Sequence, residues 1–212
     1  MLIDNLGSLK AELARYMFHQ RFAPDYDTAV QIFEAVANRR LRVLPMEHML
    51  PLTTVNGDVL LPPDYLVWRT VRPTFANTSP VTPMYRPPYN EIDYVHPAYL
   101  PPVGRGFDRL FTIEGNTFKA RPVDDRPNAW EFHYYRKIPT INGSDNNSNW
   151  LLSAHPDFYL EGALTELFAL GRNAEGAQLH KARRDELLQE IIQLYALTTG
   201  ATSPHVRSAE YY

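Results

Sequence analysis

Apolar residues recur every three or four positions in the first part of the chain, which predicts two amphipathic helices. The stripe of the first helix, in residues 2–18, consists of Leu2, Leu6, Leu9, Leu13 and Met17. The stripe of the second, in residues 28–44, consists of Val30, Phe33, Ala37 and Leu41. Asp25 or Asp27 can accept hydrogen bonds from the free amides at the start of the second helix. We therefore predict a helical hairpin over residues 1–45.

The pattern of hydrophobic positions changes from residue 46 to residue 140, where short apolar runs are separated by proline, glycine or asparagine. Such runs are typical of strands joined by long loops. In residues 130–135 the side chains alternate, which places Trp130, Phe132 and Tyr134 on one face of a strand. We predict a small antiparallel sheet or barrel of about four to six strands, interrupted by a long proline-rich loop at residues 73–106.

Helical spacing returns after the polar linker 142–149. Pro156 suits the first turn of a helix that continues to about Leu170. Residues 175–198 predict the longest helix. Its inward face is predicted as Ala177, His180, Leu187, Ile191 and Leu194, widened by Leu188, Ile192 and Tyr195. A second helical hairpin is therefore expected over residues 141–200.

These segments predict an α+β fold. Each of the four amphipathic helices carries a stripe that must be buried, so the two N-terminal and two C-terminal helices are expected to pack as a four-helix core. Residues 46–140 then form an inserted antiparallel β module. Residues 201–212 follow Gly200, a suitable helix C-cap, and are predicted to be a flexible C-terminal tail.

Composition excludes several kinds of site. The chain has no cysteine, which excludes disulfides, thiolate zinc sites, iron–sulfur clusters and cysteine nucleophiles. Its net charge of -3 gives no bulk attraction for nucleic acid. No apolar run approaches the roughly 20 residues that span a bilayer. The first residues lack the basic-then-apolar order of a signal peptide. We therefore expect a soluble protein of a reducing or indifferent compartment, without contact to a membrane.

The sequence lacks the motifs of known catalytic sites. It contains no glycine-rich phosphate loop, no Gly-x-Ser-x-Gly elbow and no His-Glu-x-x-His. Asp124 and Asp125 are adjacent carboxylates in a predicted loop, which is more typical of a solvated turn than of an acid–base dyad. We therefore predict a protein that is not an enzyme and that uses no cofactor or metal.

The tripeptide His155-Pro156-Asp157 also marks J-domain cochaperones. In that domain it follows a basic helix, whereas here it follows an asparagine-rich linker. A helix start, with Pro156 in the first turn and Asp157 near the positive end of the helix dipole, explains these residues better. Similarly, Lys181, Arg183 and Arg184 are interpreted as a solvated basic face of the last helix, with contact to an acidic neighbouring subunit or to passing DNA as the alternative.

Proline and tyrosine favour a role in contact with other proteins. Of the 18 prolines, 12 lie between Pro45 and Pro102, and half of the 26 aromatic residues are tyrosine. Tyrosine supplies a large contact area at low entropic cost, and extended proline segments lose little freedom when they bind. The tyrosines of the long loop are Tyr85, Tyr89, Tyr94 and Tyr99. We therefore predict an assembly protein.

Four motifs occur in an order that resembles the head-to-tail adaptor proteins of short-tailed bacteriophages. The first is Leu61-Pro62-Pro63-Asp64-Tyr65, and the second is Tyr134-Tyr135-Arg136-Lys137-Ile138-Pro139. They are followed by Asn149-Trp150-Leu151-Leu152 and by His155-Pro156-Asp157-Phe158-Tyr159-Leu160-Glu161-Gly162-Ala163-Leu164. The match covers most of the chain, and residues 73–106 match least.

The resemblance implies a structural virion protein with a helical core and a β-rich insertion. Members of this family form a ring, typically of twelve copies, that joins the portal protein to the tail nozzle in the neck of the virion. Such a ring completes the DNA channel and retains the packaged genome. DNA is expected to pass through this channel without specific binding. Assembly would take place in the host cytoplasm, and tail fibre proteins are further possible partners.

The resemblance also suggests which residues contact these partners. The portal-binding candidates are Ser203, Pro204, His205, Val206, Arg207, Tyr211 and Tyr212, because related adaptors dock a C-terminal extension against the portal. The candidates for contact with the tail or nozzle are Tyr85, Tyr89, Tyr94 and Tyr99.

Two alternative functions would use the β module instead. One is a tail-associated hydrolase with Asp124, Asp125 and His133 in its site, and the other is a carbohydrate-binding module.

Overall fold

The computed structural model describes residues 3–17, 25–54, 56–74, 92–100, 110–121 and 128–198. It is a mixed α and β fold, which confirms the predicted class. The chain divides into two compact units. The helical unit comprises residues 1–46 and 138–212, and the β unit comprises residues 47–137.

Five α-helices are described in the helical unit, where the sequence predicts four. The helices are α1 (Leu6–Met17), α2 (Tyr26–Arg40), α3 (Trp150–Ala154), α4 (Pro156–Leu170) and α5 (Ala174–Thr198). The additional helix, α3, has only 5 residues, so it is too short to show a hydrophobic period. It begins because the Asn149 side chain accepts a hydrogen bond from the Leu152 amide at 2.9 Å, a standard N-cap.

The predicted faces of α1 and α2 are confirmed. Leu6, Leu9, Leu13 and Met17 are buried on α1, and Leu2 lies outside the described residues. On α2, Val30, Phe33 and Ala37 are buried. Asp25 caps α2 by accepting a hydrogen bond from the Thr28 amide at 3.0 Å.

Helix α4 lies at the centre of the helical unit, in contact with α1, α2, α3 and α5. It therefore buries residues on nearly every side rather than along one stripe. The buried residues of α4 are Phe158, Tyr159, Gly162, Ala163, Leu164, Thr165, Leu167 and Phe168. This all-round burial is what a central helix requires.

The inward face of α5 differs from its prediction at two positions. Leu194 is 50% exposed, and Arg184 is only 5% exposed. The buried apolar positions are Leu188 and Ile191, so the buried face of α5 is narrow and Leu194 falls beside it. Arg184 is tolerated inside because its guanidinium pairs with Glu166 of α4 at 3.5 Å and with Asp185 at 3.1 Å.

Two sheets build the β unit. The strands are β1 (Glu47–Thr54), β2 (Asp58–Leu60), β3 (Tyr65–Thr74), β4 (Asp93–Tyr94), β5 (Leu110–Glu114), β6 (Thr117–Arg121) and β7 (Asn128–Arg136). The first sheet has the order β1-β7-β3, and the second has the order β2-β6-β5-β4. Glu47, the first residue of the unit, lies opposite Tyr135 in the pairing of β1 with β7.

The prediction of an antiparallel module of four to six strands is wrong in two respects. The described part of the unit contains 7 strands, and β4 pairs with β5 in parallel. Strands β2 and β4, with 3 and 2 residues, are too short to be seen as alternating patterns. The parallel pair is possible because a long connection separates β4 from β5, and only such crossovers allow parallel pairing.

The two sheets share one core. Trp130, Phe132 and Tyr134 of β7 are buried there, which confirms the predicted face of that strand. From the other sheet, Phe111 and Phe118 are buried in the same cluster. The Phe118 and Phe132 rings meet edge to face at 5.7 Å, a favourable geometry for aromatic pairs.

Candidate functional site: a buried polar network and exposed surfaces

A buried carboxyl group on α2, that of Glu34, is the centre of a polar network in the helical unit. The Tyr159 hydroxyl donates to Glu34 Oε1 at 2.6 Å, and the Ile141 amide donates to the same oxygen at 3.0 Å. Asn149 Nδ2 donates to the Tyr159 hydroxyl oxygen at 2.9 Å and to the Pro139 carbonyl at 2.7 Å. The Glu34 network therefore joins α2, α4 and the segment that enters α3.

Burial controls the protonation of this network. Burial raises the pKa of Glu34, and the hydrogen bonds from Tyr159, Ile141 and Thr140 oppose that rise. Burial, together with the neighbouring charge of Glu34, raises the pKa of Tyr159. The phenol therefore keeps its proton and acts as a donor. Glu34 is 3% exposed and Tyr159 is 0% exposed, so the network positions the chain rather than receiving a substrate.

Sequence analysis missed Glu34, although its position carried a signal. Glu34 follows Val30 by four residues and precedes Ala37 by three, so it falls inside the apolar stripe of α2. A carboxylate in that stripe is buried and must be hydrogen-bonded. The partners themselves lie more than 100 residues away in the chain, and no local pattern identifies them.

Gly162 explains part of the fourth motif. A Cβ atom at this position would lie 2.0 Å from the Phe33 ring, closer than any real contact allows. The Phe33 ring in turn packs edge to face on Phe158 at 5.1 Å and on Tyr159 at 4.9 Å. Glycine at 162 is therefore what lets α2 approach α4 closely.

The first two motifs meet in the β unit. The Tyr134 hydroxyl donates to Asp64 Oδ1 at 3.0 Å, and the Lys137 amide donates to the Asp64 carbonyl at 2.7 Å. Burial, with the neighbouring carboxylate of Asp64, raises the pKa of Tyr134 to about 12. These contacts hold the segment before β3 against the end of β7 and against Lys137, the last residue of the β unit.

Aromatic rings form an exposed surface on the β unit. The Tyr94 ring is 43% exposed and stacks on Trp68 with centroids 5.6 Å apart. Tyr99 is 79% exposed and contacts only the edge of His96 among the described rings. The other two tyrosine candidates, Tyr85 and Tyr89, lie outside the described residues, so their role stays a prediction.

The portal-binding candidates lie outside the described residues. They are Ser203, Pro204, His205, Val206, Arg207, Tyr211 and Tyr212. The described part of the chain ends with α5 at Thr198. Their assignment therefore stays a prediction from the resemblance.

The tripeptide His155-Pro156-Asp157 forms the start of α4. Pro156 is the first helical residue and Asp157 lies in the first turn. The His155 ring contacts the Tyr195 ring at 5.8 Å, and burial lowers the pKa of this histidine. These residues therefore have a structural explanation as a helix start.

The basic cluster on α5 is only partly a solvated face. Lys181 and Arg183 are exposed, as predicted, although Arg183 Nε also pairs with Glu161 at 3.4 Å. Arg184 is buried and pairs with Glu166 and Asp185. The neighbouring residue Asp185 also pairs with Arg40 of α2 at 2.5 Å. Arg184 and Asp185 therefore tie α5 to α4 and α2.

Only one of the three residues of the enzyme alternative lies in the described part of the structure. Asp124 and Asp125 lie outside the described residues, and His133 is a half-buried residue of β7. Among the residues that the structure describes, no three acidic or histidine side chains are arranged to hold a metal ion. Nor does any helix in those residues have the length and apolar character needed to cross a membrane.

Comparisons with known proteins identify the family. A comparison with curated protein sequences returned no match. The family model described as SU10 adaptor protein matches residues 4–208. This match covers almost the whole chain, including the helical unit, the β unit and most of the C-terminal tail. The chain therefore belongs to the SU10 adaptor protein family, which confirms its resemblance to bacteriophage head-to-tail adaptors.

Proposed function

We propose that this adaptor protein assembles into a ring of about twelve copies that joins the portal protein to the tail nozzle. The observation that carries the proposal is the family match over residues 4–208, since it spans both compact units rather than one shared module. In this role the protein occupies the neck of the virion, after assembly in the host cytoplasm.

The ring would complete the DNA channel and retain the packaged genome. The net charge of -3 supports a channel through which DNA slides, because a mildly acidic protein does not neutralise phosphates. Retention then depends on the closed ring and on the nozzle below it, without a specific DNA contact.

The C-terminal tail is assigned to the portal. Residues 203–212 contain Arg207, Tyr211 and Tyr212, and arginine and tyrosine are enriched among the residues that dominate binding energy at interfaces. A short terminal segment with such anchors fits a groove on a partner.

The β unit is assigned to the nozzle or to fibre proteins. Its support is the exposed aromatic surface of Tyr94 and Tyr99, with the proline-rich segment that contains Tyr85 and Tyr89. Tyr99 has few contacts of its own in the described structure, so its ring is available to a partner.

Native mass spectrometry of the full chain, alone and after mixing with the cognate portal ring, tests the proposal. We expect the mixture to contain portal rings that carry about one adaptor per portal subunit. A matched sample without portal reports whether the chain assembles by itself. If the portal ring binds no adaptor at any concentration, the proposed function is wrong.

A further inference from the structure

The α4–α5 hairpin carries two clefts at its opposite ends. The turn-end cleft is a shallow, open depression lined by the exposed Ala169 and Ala174 and the half-buried Ala177, with Arg172 and Lys181 at its rim. The open-end cleft contains Leu187, Ile191 and Leu194, with Asp157 and Glu190 at its rim. One cleft is therefore basic and lined by small residues, and the other is acidic and carries a protruding leucine.

The two clefts lie on opposite flanks of the hairpin. An α-helix turns about 100° per residue. Relative to the inward-facing Arg184 and Leu188, the positions of residues 174, 178 and 181 fall on one side of α5. Residues 187, 190 and 194 fall on the other side. Two neighbouring copies could therefore contact the hairpin at the same time, one at each cleft.

The rim charges have no ion-pair partner within the described part of the chain. Arg172, Lys181 and Glu190 are exposed, and none of them belongs to an ion pair among the described residues. Burial lowers the pKa of His155 in the open-end cleft, so this histidine does not offset the negative charge there at neutral pH. Each cleft thus presents an uncompensated charge of opposite sign.

Closed rings are built from heterologous contacts, in which two different and complementary surfaces on opposite sides of a subunit meet. We propose that the open-end cleft of one copy docks against the turn-end cleft of the next, and that this contact is the subunit interface of the adaptor ring. Leu194, 50% exposed, then packs against the exposed alanines of the turn-end cleft, Glu190 faces Lys181, and Asp157 faces Arg172. The inference rests on the proposed ring function.

Charge reversal on the portal-bound protein tests this pairing. Glu190→Lys and Lys181→Glu each place like charges across the interface, and we expect each to weaken ring formation at least about tenfold in the adaptor concentration that fills the portal ring. The double variant K181E/E190K restores opposite charges at every contact of a heterologous ring, so it should fill the ring again. Rescue by the double variant also shows that the single variants fail through the interface and not through misfolding.

Two controls use exposed positions of α5 outside both clefts. Glu186→Lys makes the same charge change as Glu190→Lys, but outside the clefts. Leu179→Glu likewise matches Leu194→Glu. We expect E190K and L194E to reduce the number of bound copies, and E186K and L179E to leave it unchanged. If wild type fills the portal ring and the single charge reversals fill it equally well, the interface is wrong and the proposed function stands. If wild type does not bind the portal, the proposed function itself fails.

Discussion

Tyr159 donates its hydroxyl hydrogen to Glu34 Oε1 at 2.6 Å, although the two side chains come from helices that are more than 100 residues apart in the chain. Asn149 and the Ile141 amide join the same network. The network holds the segment that leads from the β unit back into the helical unit. It adds directed hydrogen bonds to the apolar packing of α2 against α4, and such bonds require one arrangement of these helices.

Glu34→Gln should change the pH dependence of stability. Because burial raises the pKa of Glu34 above its ordinary value of 4.5, the folded chain binds this proton more tightly than the unfolded chain does. Its contribution is fully present below pH 4.5 and is lost as the pH rises through the folded-state pKa. E34Q keeps the oxygen acceptor and removes the titration. We therefore expect the free energy of unfolding of wild type, relative to E34Q, to fall from pH 4.5 towards neutral pH.

Urea unfolding followed by far-UV circular dichroism measures this difference, because the described α-helices belong to the helical unit. The exposed Glu175→Gln provides a control, and its profile should follow that of wild type. Parallel profiles for wild type and E34Q across this range would contradict the raised pKa.

Gly162→Ala should destabilise the helical unit despite the higher helix propensity of alanine. The new Cβ would lie 2.0 Å from the Phe33 ring, and overpacking of this kind costs about 1–3 kcal/mol. Thermal unfolding measures the loss. The double variant G162A/F33L should lose less stability than the sum of the two single variants, since the smaller leucine makes room. Additive losses would show that the clash is not relieved at Phe33.

Arg184→Ala and Arg183→Ala should differ strongly although the residues are neighbours. Arg184 is 5% exposed and pairs with Glu166 and Asp185, so its removal leaves Glu166 without that partner and is expected to cost about 3–5 kcal/mol. The Arg183 side chain is 70% exposed and its ion pair with Glu161 lies at the surface, so its removal should cost no more than about 1 kcal/mol. Denaturant unfolding of the two variants side by side decides between this structure and a uniformly solvated basic face.

Deletion of residues 203–212 should abolish attachment to the portal and leave the protein folded. The deleted residues follow the last described helix, which ends at Thr198, so circular dichroism and the unfolding midpoint should match wild type. Co-sedimentation with purified portal rings measures attachment. A control in which the order of these ten residues is scrambled should fail in the same way, and normal attachment of the deleted chain would remove the assignment of the tail.

Tyr99→Ser should weaken binding to the tail nozzle without loss of stability. The ring is 79% exposed, so its removal costs little within the subunit, whereas a tyrosine that anchors an interface contributes at least about 1 kcal/mol to binding. Calorimetric titration of the nozzle protein with assembled rings measures the change. Tyr16→Ser, at an exposed site of the helical unit, should bind the nozzle like wild type. Equal affinities for Y99S and wild type would redirect the search to other surfaces of the β unit.

Much of the helical unit was predictable because its helices are long and amphipathic. Leu6, Leu9 and Leu13 identify the buried face of α1 from spacing alone, and Asp25 marks the start of α2. Helix α3 was not predictable, since five residues do not complete a hydrophobic period. The burial of Arg184 and the exposure of Leu194 were also missed, because residue type alone does not reveal how narrow the contact between α5 and α4 is.

The β unit and the candidate sites were harder to predict from the sequence. Alternation identified the buried face of β7, but the parallel pairing of β4 with β5 depends on contacts between distant segments. The Glu34 network illustrates the same limit. Its centre lies in a visible apolar stripe, yet its partners, Ile141 and Tyr159, become neighbours only in the folded chain.

The pairing of Glu47 with Tyr135 means that the β unit begins and ends on adjacent strands, about 5 Å apart. A unit whose two ends meet in this way can be excised and its gap closed by a short turn, or exchanged for another unit of any length, without stretching the rest of the chain. Substitutions, insertions or deletions among the ninety or so residues between these ends therefore need not move the chain on either side. Selection on the proposed nozzle or fibre contact would then act on the β unit and leave the residues of the proposed ring contact unchanged.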